Sequence, residues 1–237
     1  MPTLAVSPTT LTAIVITLSF AAGLNVYATV FSLGVMSHLH WIALPPGLEA
    51  LGDRWIMVAS GVLFAGEFVA DKIPGFDLGW NALHTFVRIP VAALLAYGVG
   101  EHLPPEMHVL LTCLGAALAA LAHGSKTAMR VAVTPSPEPL SNIGLSTSED
   151  AVAIGLTWLV MHHPLVAGGT VAGLCVGCGL GLWLGFRVVK RSFRSLFIER
   201  RGWVAVGQQR GHSSVRHRLF DVLDDEGLDG RFRGDET

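Results

Sequence analysis

Long apolar stretches separated by short runs of Pro, Gly and polar residues set the rhythm of this chain. A membrane helix needs about 20 mainly apolar residues, because roughly 30 Å of hydrocarbon is crossed at 1.5 Å per residue. Six stretches qualify: about 11 to 36, 55 to 71, 79 to 99, 107 to 129, 149 to 163 and 165 to 186. Pro45-Pro46, Pro74-Gly75, Pro104-Pro105 and Pro164 fall between them, where helices are expected to break. The first run has no basic residue before it and continues past any plausible cleavage site, so it reads as a retained span. The expected fold is all-α: a polytopic bundle of about six transmembrane helices over residues 1–190, followed by a tail over 191–237. Three spans followed by three of opposite sense would also suit a 3+3 inverted repeat, with Gly23 and Gly124 in similar places.

Within the apolar segments, polar residues recur at helical spacing. Asn81, His84, Thr85 and Arg88 stand at i, i+3, i+4 and i+7, and His123, Lys126, Thr127 and Arg130 repeat that spacing. Asn25, Thr29 and Ser32 share a face of the first span, and Glu67 and Asp71 lie one turn apart in the second, with Lys72 beside them. Ionisable residues inside a membrane cost roughly 2.5 to 3.5 kcal/mol each on insertion scales, so they normally face one another in the bundle interior. The stripes are therefore expected to converge on a charged site toward the cytoplasmic side. Snorkelling competes for Lys72, Lys126 and Arg130, interhelical hydrogen bonding for Asn25, and a static ion-pair cluster for the rest.

Composition strengthens the membrane reading. Of 237 residues, 51% are hydrophobic and 14% charged, against roughly 25% charged in soluble domains. The net charge of -2 is unevenly placed, with eleven of the sixteen basic residues after Phe186. The cluster RVVKRSFR, Arg187 to Arg194, puts that end in the cytoplasm by the positive-inside rule. Counting back through six spans puts the N-terminus there too, in an inner membrane. Phe193, Leu196, Phe197 and Trp203 among Arg194, Arg200 and Arg201 suit a helix on the inner surface, so 187–201 is expected to meet anionic lipid rather than nucleic acid. The rest of the tail reads as disordered.

Three cysteines in apolar surroundings make no disulfide framework, and Cys175-x-x-Cys178 lacks the second pair a zinc site needs. No motif calls for a cofactor. Gly169, Gly173, Gly177 and Gly181 form a smooth ridge on the last span, suited to packing inside the bundle or in a homo-oligomer.

The stretch TPSPEPLSNIGLSTSED, Thr134 to Asp150, stands apart, with three carboxylates and no Lys or Arg. Its prolines predict an irregular or re-entrant element over 134–148. Ser146 and Glu149 have capping-box spacing, which would start the fifth helix there and place Glu149 and Asp150 in its first turn. Glu138 and Asn142 are then expected to line an inner gate, with Asp77 another acidic candidate on that side.

AAGLNVYATVFSLG, GEFVADKIPGFDLGWNALHTFVRIPVAALLA, AHGSKTAMR and SPEPLSNIGLSTSED together resemble the bacterial membrane proteins grouped as domain of unknown function 4126. The resemblance covers most of residues 20 to 155 and implies an integral inner-membrane protein, without an activity or a catalytic assignment. From the residues themselves, the leading reading is a small transporter or channel binding an ion or small anionic solute through Asn25, Glu67, Asp71, Asp77, Asn81, His84, Arg88, His123, Lys126, Arg130, Glu138, Asn142, Glu149 and Asp150. A non-catalytic membrane scaffold stands beside it, and a metal-dependent enzyme using His84 and His123 behind both.

Overall fold

The computed structural model describes residues 7–71, 76–133, 139–187 and 190, with every side chain among them except those of 76–78, 81, 130–133 and 139–142. The described residues form seven α-helices: α1 Pro8–Leu24, α2 Val26–His38, α3 Arg54–Ala70, α4 Phe76–Val99, α5 Pro105–Val133, α6 Pro139–His162 and α7 Pro164–Arg187. A short 3-10 turn, Glu49–Gly52, precedes α3, and no strand occurs among the described residues. Ala82–Val99, Pro105–Met129 and Pro164–Arg187 are long and apolar enough to cross a membrane, and α1 and α2 are shorter apolar helices. Trp55, Val62, Phe86, Leu94, Val109 and Phe186 stand exposed on the outside, a surface suited to lipid. The protein is membrane-embedded. Most of the described bundle falls in one compact unit, Met1–Trp183, and the second unit, Leu184–Thr237, is described only at 184–187 and 190.

α1 is the innermost helix, packed on α4, α5 and α6. Its small residues allow this, because small side chains let helix backbones approach closely. A Cβ added at Gly23 would lie 2.6 Å from the Ala119 carbonyl oxygen and 2.7 Å from Ala119 Cα, both backbone atoms that cannot swing aside. Gly23→Ala is therefore expected to cost about 1 to 3 kcal/mol by overpacking. Gly66→Ala, with nothing within 4 Å, is the control. Equal unfolding midpoints for the two variants would refute the close contact.

The expected first span, 11 to 36, is two helices rather than one. Along α1, Gly115 lies against Ser19, and Ala119 and Ala122 against Gly23, so α1 runs parallel to α5. Along α2, Gly61 lies against Phe31, Met57 against Gly34 and Gly52 against Ser37, so α2 runs antiparallel to α3. The loop between α2 and α3 returns to the end of the bundle where Gly47 touches Gly98, near the end of α4 and the start of α5. α1 thus enters from that end, the chain reverses at Asn25, and α2 goes back. Apolar length alone predicts one crossing; tertiary contacts fold it in two.

α7 also starts at this end, where Gly168 meets Ala13. Seven described helices thus stand where six spans were expected. The two glycines that suggested a repeat also differ in role. Gly23 presses on α5, whereas α5 runs unbroken through Gly124, which has nothing within 4 Å. Gly169, Gly173, Gly177 and Gly181 likewise have open space where a side chain would begin, so the ridge does not pack inside the described bundle.

The fifth predicted span begins earlier than its capping signal suggests. α6 starts at Pro139, a residue type suited to a first turn, and is regular helix through 139–148 rather than irregular. Ser146 lies mid-helix, fully buried, and its Oγ has no hydrogen-bond partner, so the Ser146/Glu149 capping box does not form. Glu149 and Asp150 are buried at mid-helix and owe their place to what they face. Residues 134–138, with Glu138, lie outside the described residues.

Candidate polar centre at the helix reversal

Asn25 makes the reversal possible. Its backbone is extended, at φ -149° and ψ 102°, so α1 stops and α2 starts anew. Its N–H still donates to the Ala21 carbonyl, closing α1, while its Oδ1 accepts from the Ala28 N–H at 2.9 Å, capping α2. Asn is among the preferred N-caps because its short side chain reaches an otherwise unpaired N–H. The remaining amide hydrogens point to α6: Asn25 Nδ2 donates to Asp150 Oδ1 at 2.8 Å. Asn25 and Asp150 are both buried, at 0% and 4% exposed.

Both helix ends at the reversal meet charges of the matching sign. The carbonyl end of α1 carries partial negative charge, and Lys126 Nζ donates to the Leu24 oxygen at 3.1 Å. The amide end of α2 is partially positive and lies beside the Asp150 carboxylate through its cap. Non-helical backbone at membrane depth is tolerated only where protein or a hydrated path satisfies it, and here α5 and α6 supply the partners through Lys126 and Asp150.

Around the reversal the charged stripes converge. Lys126 Nζ also donates to Asp71 Oδ2 at 3.1 Å and lies 3.2 Å from Glu149 Oε2 and 3.7 Å from Glu67 Oε1. Arg88 Nη2 donates to Glu67 Oε1, with both side chains at 0% exposure. Arg88 Nη1 lies 2.9 Å from His123 Nδ1, and His123 Nε2 lies 2.7 Å from Thr85 Oγ1. A guanidinium only donates, so His123 Nδ1 accepts and its Nε2–H donates to Thr85. His84 stands to one side: its Nδ1 donates to the Trp80 carbonyl at 2.8 Å, and the Tyr27 ring meets it edge-on at 5.5 Å between centroids.

Of the expected residues, the structure brings together Asn25, Glu67, Asp71, Arg88, His123, Lys126, Glu149 and Asp150, with His84 adjoining. Lys126 is 1% exposed, and a snorkelling lysine would not be. Asp77, Asn81, Arg130 and Asn142 lie on α4, α5 and α6, but their side chains, like Lys72 and Glu138, fall outside the described residues. Thr29 Oγ1 donates to the Asn25 carbonyl and Thr127 Oγ1 to the His123 carbonyl, so both serve their own helices. Among the described side chains, the carboxylates of Glu67, Asp71, Glu149 and Asp150 gather around Arg88 and Lys126. Glu67 Oε2 and Asp150 Oδ2 are buried without a hydrogen-bond partner.

The Leu24 carbonyl and the Tyr27 ring were not legible as site groups. One local signal did exist: Gly23-Leu24-Asn25 places a helix-ending residue type just before a helix-starting one. The centre also lies below one end of the bundle. At 1.5 Å per residue, α5 continues for about 10 Å past Lys126, while α4 and α6 begin about 18 Å before Arg88 and about 16 Å before Asp150.

No curated protein and no solved structure matches the chain. A family model described as "Domain of unknown function (DUF4126)" matches residues 12–190, a span that holds every residue of the polar centre, and the chain therefore belongs to that family.

Proposed function

We propose that the protein is a small secondary transporter that moves a monovalent cation or a proton through the polar centre at Asn25. The helix reversal there carries the reading. Carriers commonly hold ions between interrupted helices, using helix ends and freed carbonyls near the middle of the membrane. Asn25, the Leu24 carbonyl and Asp150 have that character.

The charges favour a cation over an anionic solute. Arg88 and Lys126 already bind internal carboxylates, so an anion would have to displace one of them. A cation would instead meet carbonyl and carboxylate oxygens already grouped at the reversal. With the basic segment after α7 in the cytoplasm of an inner membrane, seven alternating helices put the start of α1 outside. The prolonged ends of α4, α5 and α6 then flank an inward approach to the centre.

Purified protein in proteoliposomes under imposed K+, Na+ or H+ gradients tests this. Wild type is expected to give flux of at least one of these ions above empty liposomes. Asp150→Asn, which keeps the shape and an acceptor for Asn25, should fold normally and lose roughly tenfold or more of the flux, since a charged contact in low dielectric is worth over 1.4 kcal/mol. A folded wild type that moves none of the three ions would sink the carrier reading and favour a static scaffold.

A further inference from the structure

The Lys126 ammonium sits where an ion would sit. Its nitrogen is ringed by the Leu24 carbonyl at 3.1 Å, Asp71 Oδ2 at 3.1 Å, Glu149 Oε2 at 3.2 Å and Glu67 Oε1 at 3.7 Å. These four oxygens come from α1, the end of α3, α6 and α3 itself, whereas the lysine comes from α5. Three contacts at hydrogen-bonding distance match the three N–H donors of an ammonium. A lysine neutralising one acidic partner would need one carboxylate; this one gathers three and the carbonyl end of a helix.

We propose that this oxygen shell is a monovalent-cation site and that Lys126 is its tethered occupant, which a free cation of ammonium or potassium size replaces. The shell suits that size. Oxygens spread to 3.1–3.7 Å are too distant for Mg2+, which takes ligands at about 2.0–2.1 Å, or for Ca2+, at about 2.3–2.6 Å. No three acidic, His or Cys groups among the described residues stand close enough to hold a metal ion at such short distances. Glu67 adds an independent sign of unused capacity. Its Oε2 is fully buried without a hydrogen-bond partner, and covalent geometry keeps it beside the Oε1 that faces Lys126.

Occupancy by Lys126 and by a free cation is mutually exclusive, since both need the same oxygens. In the carrier reading, on which only this role rests, Lys126 in place is the ion-free state, and its withdrawal along α5 opens the site. The exchange conserves charge within the shell: one monovalent cation for another. Leu24 makes the reversal part of the site, because its carbonyl is free to accept only where α1 ends.

The test is chemical rescue with the full chain in detergent. Unfolding midpoints of wild type, Lys126→Ala and Lys126→Gln are compared in chloride salts of ammonium, methylammonium, potassium and choline at constant ionic strength. Wild type, whose shell Lys126 already fills, should respond to the small cations much less than the variants, because a free cation must first displace the lysine. Lys126→Ala should rise saturably in ammonium, methylammonium or potassium relative to choline, by roughly 5 to 10 °C at a hundredfold excess over Kd. Adding Glu149→Gln should weaken that response. If neither variant folds in choline, monodisperse protein recovered only with ammonium or potassium during extraction supports the site, and failure in all four salts overturns it. A flat response of folded variants, or a wild type equally stabilised by the small cations, also overturns it. Rescue without flux leaves the cation site and removes the carrier reading; flux without rescue does the reverse.

Discussion

Arg88→Met is expected to lower stability by about 3 to 5 kcal/mol, the usual consequence of removing one partner of a buried ion pair. Arg88 and Glu67 are both at 0% exposure, so the Glu67 carboxylate left behind has no solvent to turn to. Lys126 stands 3.7 Å from Glu67 Oε1, but three nearer oxygens already engage it. The substitution also takes away the donor to His123 Nδ1, at 2.9 Å, which loosens the contact to Thr85. The penalty comes mainly from the stranded charge, so adding Glu67→Gln to Arg88→Met should recover much of it. Unfolding in mixed detergent micelles reads the difference. A single variant within about 1 kcal/mol of wild type, the range typical of exposed pairs, would mean the pair is not buried in the working protein.

Asn25→Ala should cost about 2 to 4 kcal/mol, combining two separable effects. Loss of the cap on α2 is worth about 1 kcal/mol. Loss of the donor to Asp150 leaves a buried carboxylate oxygen unsatisfied, at about 1 to 3 kcal/mol. Asn25→Ser separates them, since a serine caps a helix but is too short to keep the 2.8 Å bond to Asp150. It is expected to recover the cap and not the rest. Equal losses in the two variants would show that capping contributes nothing at the reversal. Flux should fall in both, because each leaves Asp150 without its partner, and a serine variant with wild-type flux would remove Asn25 from the site.

The family model fixes membership but brings no activity, so the weight of the functional reading falls on the geometry at Asn25. In the carrier reading proposed above, a cation takes the place of the ion or small anionic solute expected from the sequence. The geometry also changes why individual residues are there. Glu149 and Asp150 no longer begin a helix; they answer Lys126 and Asn25 from the middle of α6. A local capping signal is worth about 1 kcal/mol, less than burying two carboxylates without partners, so tertiary demand sets where α6 begins.

The sequence by itself determined that the chain is helical and membrane-embedded, because apolar length and composition are additive along the chain. It also made a meeting of the charged stripes the expectation, with snorkelling left open for Lys126 and Arg130. Spacing puts Arg88 with His84 and Lys126 with His123 on single helix faces, and the cost of isolated charge in hydrocarbon leaves mutual pairing as the economical outcome. Only the tertiary structure decided which charge pairs with which, and that the first apolar run folds back at Asn25. A run of that length crosses a membrane equally well unbroken. The reversal depends on Gly23 fitting against Ala119, on α2 pairing with α3, and on Asp150 and Lys126 meeting the two new helix ends. Those partners lie up to 125 residues away in sequence, and no local pattern encodes contacts across that distance.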